Sequence, residues 1–209
     1  MTMIQRLASV LGRRDDVPNQ ELARELAQSG DHEAIADLVQ HLWHKDIAIR
    51  SDCIKVLYEL GYIRPDLVAP HVAEFLKLLR SRNNRLVWGA MGALATIASL
   101  APDPIYQDLD LVLQTIEHGS VITVDGGISV LARVSAADES CEGRIIPFLL
   151  RHLESCRPKE VGQHAERSLV AINARNKDAF EKVLTSRLDA LTEAQQARVR
   201  KVLRAIAGL

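Results

Sequence analysis

The sequence predicts an all-α chain, an α-solenoid of about five to six stacked antiparallel helix pairs, and three observations carry that prediction. Aromatic residues make up 4% of the 209 residues and hydrophobic residues 47%, with Leu and Ala abundant. This balance suits helix-on-helix packing better than a β sandwich and excludes wholesale disorder. Five segments share one spacing: 46–61 (DIAIRSDCIKVLYELG), 84–99 (NRLVWGAMGALATIAS), 120–135 (SVITVDGGISVLARVS), 158–173 (PKEVGQHAERSLVAIN) and 192–208 (TEAQQARVRKVLRAIAG). Between them run amphipathic stretches of helical period, so the unit is helix, short turn, helix.

Aligned on one leucine, the five segments bring Leu57, Leu94, Leu131, Leu169 and Leu203 into register, 37, 37, 38 and 34 residues apart. Leu60, Ile97, Val134, Ile172 and Ile206 follow three residues later. Cys53, Ala90, Gly127, Ala165 and Val199 precede by four. These offsets define one buried stripe on a second helix. The first helices of the pairs carry start signals at Asp31, Pro65–Asp66, Asp103–Pro104, Glu142 and Asp178. Residues 1–30 read as an atypical N-terminal capping unit with helices over 2–12 and 19–29. Residues 31–209 read as five helix-pair repeats, and the whole of 1–209 as one repeat domain. Val124-Asp125-Gly126-Gly127 is a hairpin signal taken alone, but a hairpin would break the 37-residue register on both sides. The register predicts a helix there, weakened by roughly 2 kcal/mol through its two glycines.

Asp46-x-x-Ile49-Arg50-x-x-Cys53-x-x-Val56-Leu57-x-x-Leu60-Gly61 resembles the second helix of HEAT repeats, and the resemblance extends over roughly residues 31–209. It implies an ARM/HEAT-type solenoid whose second helices line a concave surface, with a polar ladder from Asp46 and Arg50 in the first full unit. Later units place Asn83, Ser120, Pro158 and Thr192 at the Asp position. Such scaffolds serve many functions, so the fold alone names none.

Net charge is −1, but residues 1–143 hold 13 Lys/Arg against 20 Asp/Glu and residues 144–209 hold 13 against 7. The near-neutral total argues against a dedicated nucleic-acid or membrane binder. The polarity suits contact between copies or an anionic ligand at the C-terminal end. Cys141 and Cys156 bracket one predicted helix and would lie roughly 22 Å apart, too far for a disulfide. Reduced thiols and a cytoplasmic setting follow. The N-terminus has no signal-peptide pattern, and the longest apolar stretch is about half a membrane span.

Helical phase places an exposed stripe opposite the core face of the second helices: Ser51, Lys55 and Tyr58; Arg85, Trp88 and Gly92; Asp125, Ser129 and Arg133; Glu160, Gln163 and Arg167; Lys201 and Arg204, flanked by His164 and Arg198. Trp88 stands out as a binding anchor, with Arg85, Tyr58, Asp125 and Arg133 to orient a partner and Arg167 and Lys201 to meet acidic groups. Asp37, His41 and His44 share a helix face with metal-ligand spacing, but on the polar side of an outer helix and without an HExxH motif; no metal site is expected there. No phosphate loop, paired-cysteine motif or nucleophile elbow occurs, Cys53 sits in a core slot, and no cofactor is implied. The leading expectation is a non-enzymatic scaffold that holds a protein or peptide segment, or a second copy of itself. The alternative is a module for small anionic ligands or phosphate. A minor one, suggested by Trp88 and Asp125 on one stripe, is a HEAT-like DNA glycosylase or nucleic-acid binder.

Overall fold

The computed structural model describes residues 2–209. It consists of α1 (Val17–Ser29), α2 (His32–Gln40), α3 (Ile47–Ile63), α4 (Pro65–Val68), α5 (Val72–Leu78), α6 (Asn84–Ile97), α7 (Pro102–Gln107), α8 (Leu109–His118), α9 (Val121–Ala137), α10 (Glu142–Ser155), α11 (Pro158–Ser168), α12 (Lys177–Arg187) and α13 (Glu193–Ile206), joined by short turns. No strand occurs among the described residues. The chain resolves into two compact units, one ending at Gly127 and one running from Ile128 to Leu209, with the boundary inside α9.

The repeated polar column of the sequence is a column of helix starts. Asp46 accepts from Ala48 N at 2.8 Å and Asn83 from Arg85 N at 2.9 Å. Ser120 Oγ accepts from Thr123 N at 3.4 Å, and Thr192 forms a reciprocal capping box with Gln195. Each satisfies amide groups that have no partner in the first turn of a helix. The Asp46–Arg50 ladder is therefore not what occupies Asp46, and Arg50 Nε is buried without a hydrogen-bond partner.

In the first unit α1 packs on α3 and α3 on α6, forming a row of second helices, with α2, α4 and α5 behind them. Leu57, Leu60, Leu94 and Ile97 are fully buried, as the register requires. The first helix of the second pair is broken into α4, a 3-10 turn at Ala69–His71 and α5, because Pro70 removes a donor and crowds the preceding turn. The expected helix over 2–12 shrinks to a 3-10 turn at Met3–Arg6 followed by turns. Side chains take its amides instead: Ala8 N donates to Asn19 Oδ1 at 3.0 Å and Ser9 N to Asp52 Oδ2 at 2.7 Å.

The α9 stretch is helix, and neither Gly126 nor Gly127 has positive φ. A Cβ on Gly127 would run into the Ile116 side chain of α8. That close approach, and not a turn, explains the glycine. In the second unit α11 packs on α13 and α10 on α12 around Leu153, Val161, Ala165, Phe180, Leu184 and Val199. Leu169 and Leu203, predicted as core, are half-buried. Leu169 falls in the 3-10 turn that ends α11, which rotates it off the stripe.

Candidate partner-binding face

In the first unit the expected stripe is partly closed. Ser51 and Lys55 are 7% and 9% exposed, not open, because α1 and the turn before it lie alongside α3. Lys55 Nζ reaches Glu59 at 2.7 Å and Asp16 at 3.5 Å, and stands 4.9 Å from the centre of the Tyr58 ring. Burial works against the ammonium charge, but the bonds to Glu59 and Tyr58 outweigh it and push its pKa up. Tyr58 moves the same way, raised chiefly by burial. Arg85 is exposed and lies 3.8 Å from Asp16, so one aspartate serves both cations.

Trp88 is half-buried and packs its ring against Tyr58 of the neighbouring helix, centroids 5.9 Å apart at 52°. It is not the isolated, fully exposed anchor that phase alone suggests. Tyr58 also meets Tyr62 edge-on at 6.4 Å, and Tyr62 is 67% exposed. An aromatic strip of Trp88, Tyr58 and Tyr62 thus crosses two adjacent second helices. The sequence signal for Tyr62 was its i+4 spacing from Tyr58. Gly92, one turn beyond Trp88, leaves the strip uncovered: a Cβ there would meet only the Tyr58 side chain, at 3.9 Å. Asp125 is half-buried on α9.

The second unit carries the rest of the stripe. Arg133 and Lys201 are exposed and Arg167 is half-buried. Arg167 Nη1 donates to Ser129 Oγ at 2.7 Å, so this cation is held by a hydroxyl. Arg198 forms a two-pronged pair with Glu166 at 2.9 and 2.6 Å, and that bond holds the Glu166 carboxyl below its usual range. Gly162 makes room for the Arg198 stem, which a Cβ would strike at 2.8 Å. His164, expected beside the exposed stripe, is fully buried. Its ring nitrogen faces His152 across 2.8 Å.

Asp37, His41 and His44 do not assemble into a metal site. α2 stops at Gln40 and a 3-10 turn follows, so His44 leaves the helix face. Its Nδ1 instead accepts from Asp46 N at 3.1 Å. Trp43, which phase did not single out, is 51% exposed and donates to Glu74 Oε2 at 2.8 Å.

No family model matches the chain, and no curated protein matches it either. Solved structures do. A designed armadillo repeat protein in complex with the peptide (KR)4 aligns with TM-score 0.72 and 15% identity over 98% of each chain. Designed armadillo repeat proteins for modular peptide recognition align at 0.69 and 15% over 97% of this chain and 98% of theirs. An engineered protein aligns at 0.66 and 20% over 100% of this chain and 98% of that one. At such identity the likeness shows the fold, which is an all-α repeat solenoid of the ARM/HEAT type. No helix among the described residues is long and apolar enough to cross a membrane.

Proposed function

We propose that the protein is a non-enzymatic binding scaffold whose second-helix face holds an extended protein or peptide segment. The observation that carries this reading is the aromatic strip of Trp88, Tyr58 and Tyr62, bared by Gly92. Large rings already packed in place lose little freedom on binding, which is what an anchor requires. Lys55 above Tyr58 shows that this ring face also accepts a cation. Arg85, with Asp16 as its partner, borders the strip and orients the segment. Peptide recognition by designed repeat proteins of the same fold supports the reading.

The anionic-ligand alternative has less support. Of the basic residues at the C-terminal end, Arg198 is neutralised by Glu166 and Arg167 is held by Ser129. Lys201 and Arg204 stay exposed; in this reading they meet acidic groups of the bound segment or of a second copy.

An array of extended peptides probed with the full chain tests the proposal. Peptides bound by wild type are expected to lose on the order of tenfold or more in affinity with Trp88→Ala and with Tyr58→Ala, and to keep it with the exposed-loop variant Lys45→Ala. An array in which no peptide distinguishes Trp88→Ala from wild type would refute the reading.

A further inference from the structure

α10 ends at Ser155 and α11 begins at Pro158, so the chain reverses within two residues. Three side chains of metal-ligating type meet at that turn. His152 lies in the last turn of α10, and Cys156, four residues on, caps the helix by donating its amide to His152 O at 2.8 Å. That spacing places both side chains on one face. His164 enters from α11. His152 Nε2 and His164 Nδ1 are 2.8 Å apart, and one donor atom from each of the three residues lies within 4.8 Å of the others. The Cys156 thiol has only a long contact to Leu153 O, 3.8 Å.

We propose that His152, Cys156 and His164 form a zinc-class metal site that clamps the α10–α11 turn. Two imidazole nitrogens and one sulfur are a borderline-soft donor set. It suits Zn²⁺ and not Mg²⁺ or Ca²⁺, which require oxygen. Tetrahedral zinc places such donors roughly 3.3–3.6 Å apart. The histidine pair has to open by about half an ångström and the thiol to close by up to about 1.2 Å, within reach of side-chain rotation.

Ligation needs both facing nitrogens bare and the sulfur ionised. The hydrogen between the two rings moves to the outer nitrogen of the ring that carried it, and the Cys156 proton leaves to solvent. No oxidation state changes. Burial, with His164 beside it, pushes the His152 pKa down to about 4, so its ring is neutral near pH 7 as a ligand must be. Burial raises the Cys156 thiol to about 11, so the bound metal itself has to draw off that proton. Glu160, one turn before His164, is close enough to bear on the charge of all three residues. Arg157 pairs with it now. Arg187 closes the end of α10 by donating to Cys156 O at 2.7 Å; its charge favours the thiolate and opposes the cation.

Titration of the chelator-treated, reduced full chain with Co²⁺ tests the site. Wild type is expected to bind one equivalent, with tetrahedral bands in the visible and a sulfur-to-cobalt charge-transfer band in the near ultraviolet. Cys156→Ser should abolish the charge-transfer band, and both it and His152→Gln should weaken binding by at least about 10–100-fold, the cost typical of losing even an outer-shell partner. His118→Gln, at an exposed histidine elsewhere, should change nothing. In wild type, Zn²⁺ should displace the cobalt and slow alkylation of Cys156, the one half-buried thiol beside the buried Cys53 and Cys141. This last readout needs no variant to fold. Absence of a one-equivalent cobalt spectrum, a charge-transfer band that survives Cys156→Ser, or alkylation unaffected by Zn²⁺ would each overturn the proposal.

Discussion

The α3–α6 face and the α11–α13 face occupy the same place in the repeat, yet they are built differently. On α3 and α6 Lys55 lies under the cover of α1, shared between Glu59 and Asp16 and set over the Tyr58 ring, which packs on Trp88. On α11 and α13 aromatic residues are lacking; guanidinium groups are crossed between helices by Glu166 and Ser129 while Lys201 and Arg204 stay in water. One face offers apolar area on a neutralised base, the other offers residual positive charge. What a repeat presents therefore depends on which neighbour neutralises it, and not on its own row of residues.

The largest expected effect breaks the first face from below. Asp52 is buried and holds both Ser9 N and Asn19 Nδ2, the latter at 2.9 Å. Asp52→Ala strands one buried and one half-buried donor and should cost about 2–4 kcal/mol, read as a lower urea midpoint with an unchanged slope. If the midpoint is unchanged, the N-terminal segment does not depend on Asp52 for its attachment.

Next come the two glycines of α9. Gly127→Ala forces a methyl into Ile116 and should destabilise by about 1–3 kcal/mol. Gly126→Ala should alter stability by less than about 1 kcal/mol, because the gain in helix propensity is offset by a 3.1 Å approach to Met91 Cγ. Thermal unfolding of the two variants side by side checks the ordering; equal effects would dismiss the packing explanation.

A smaller effect separates the second unit by pH. His152 has a pKa of about 4 in the fold, against 6.5 for an ordinary imidazole. The unfolded chain therefore gains a proton that the folded chain refuses. Its share of stability is intact above about pH 6.5 and falls as pH drops toward 4. With chelator present, His152→Gln should flatten that part of the stability profile; an identical slope in both proteins contradicts it.

The smallest effect on stability is Glu166→Gln. The pair is half in water, so its loss should cost under about 1 kcal/mol. It also frees Arg198, and retention on a heparin column should rise. Unchanged retention would mean that Glu166 does not mask this face.

Much of this architecture was legible in the residues. The leucine register located the second helices of the five repeats, whereas Asp46, Asn83, Ser120 and Thr192, aligned as the Asp position of the resemblance, cap their own helices in the structure. The same register showed that Asp-Gly-Gly belonged to a helix, though not why: Ile116, eleven residues upstream of Gly127, supplies the reason. Helical phase put Trp88 opposite the core face, but its packing on Tyr58 is a feature of the structure. The His152–Cys156–His164 cluster escaped notice, since the H-x3-C spacing at a helix end points to a site only once His164 is known to face it.

The sequence by itself determined the all-α class, the repeat length and the buried stripe except at Leu169 and Leu203, because helical period is set by residues within one or two turns of each other. Tertiary structure alone decided that Lys55 and Ser51 are covered, that Arg198 is neutralised and that His164 points inward. Each of these depends on a group 12 to 39 residues away, brought alongside by helix packing: His152 for His164, Glu166 for Arg198, Asp16 for Lys55. Helical phase fixes which way a side chain points, and the neighbouring helix fixes what it meets.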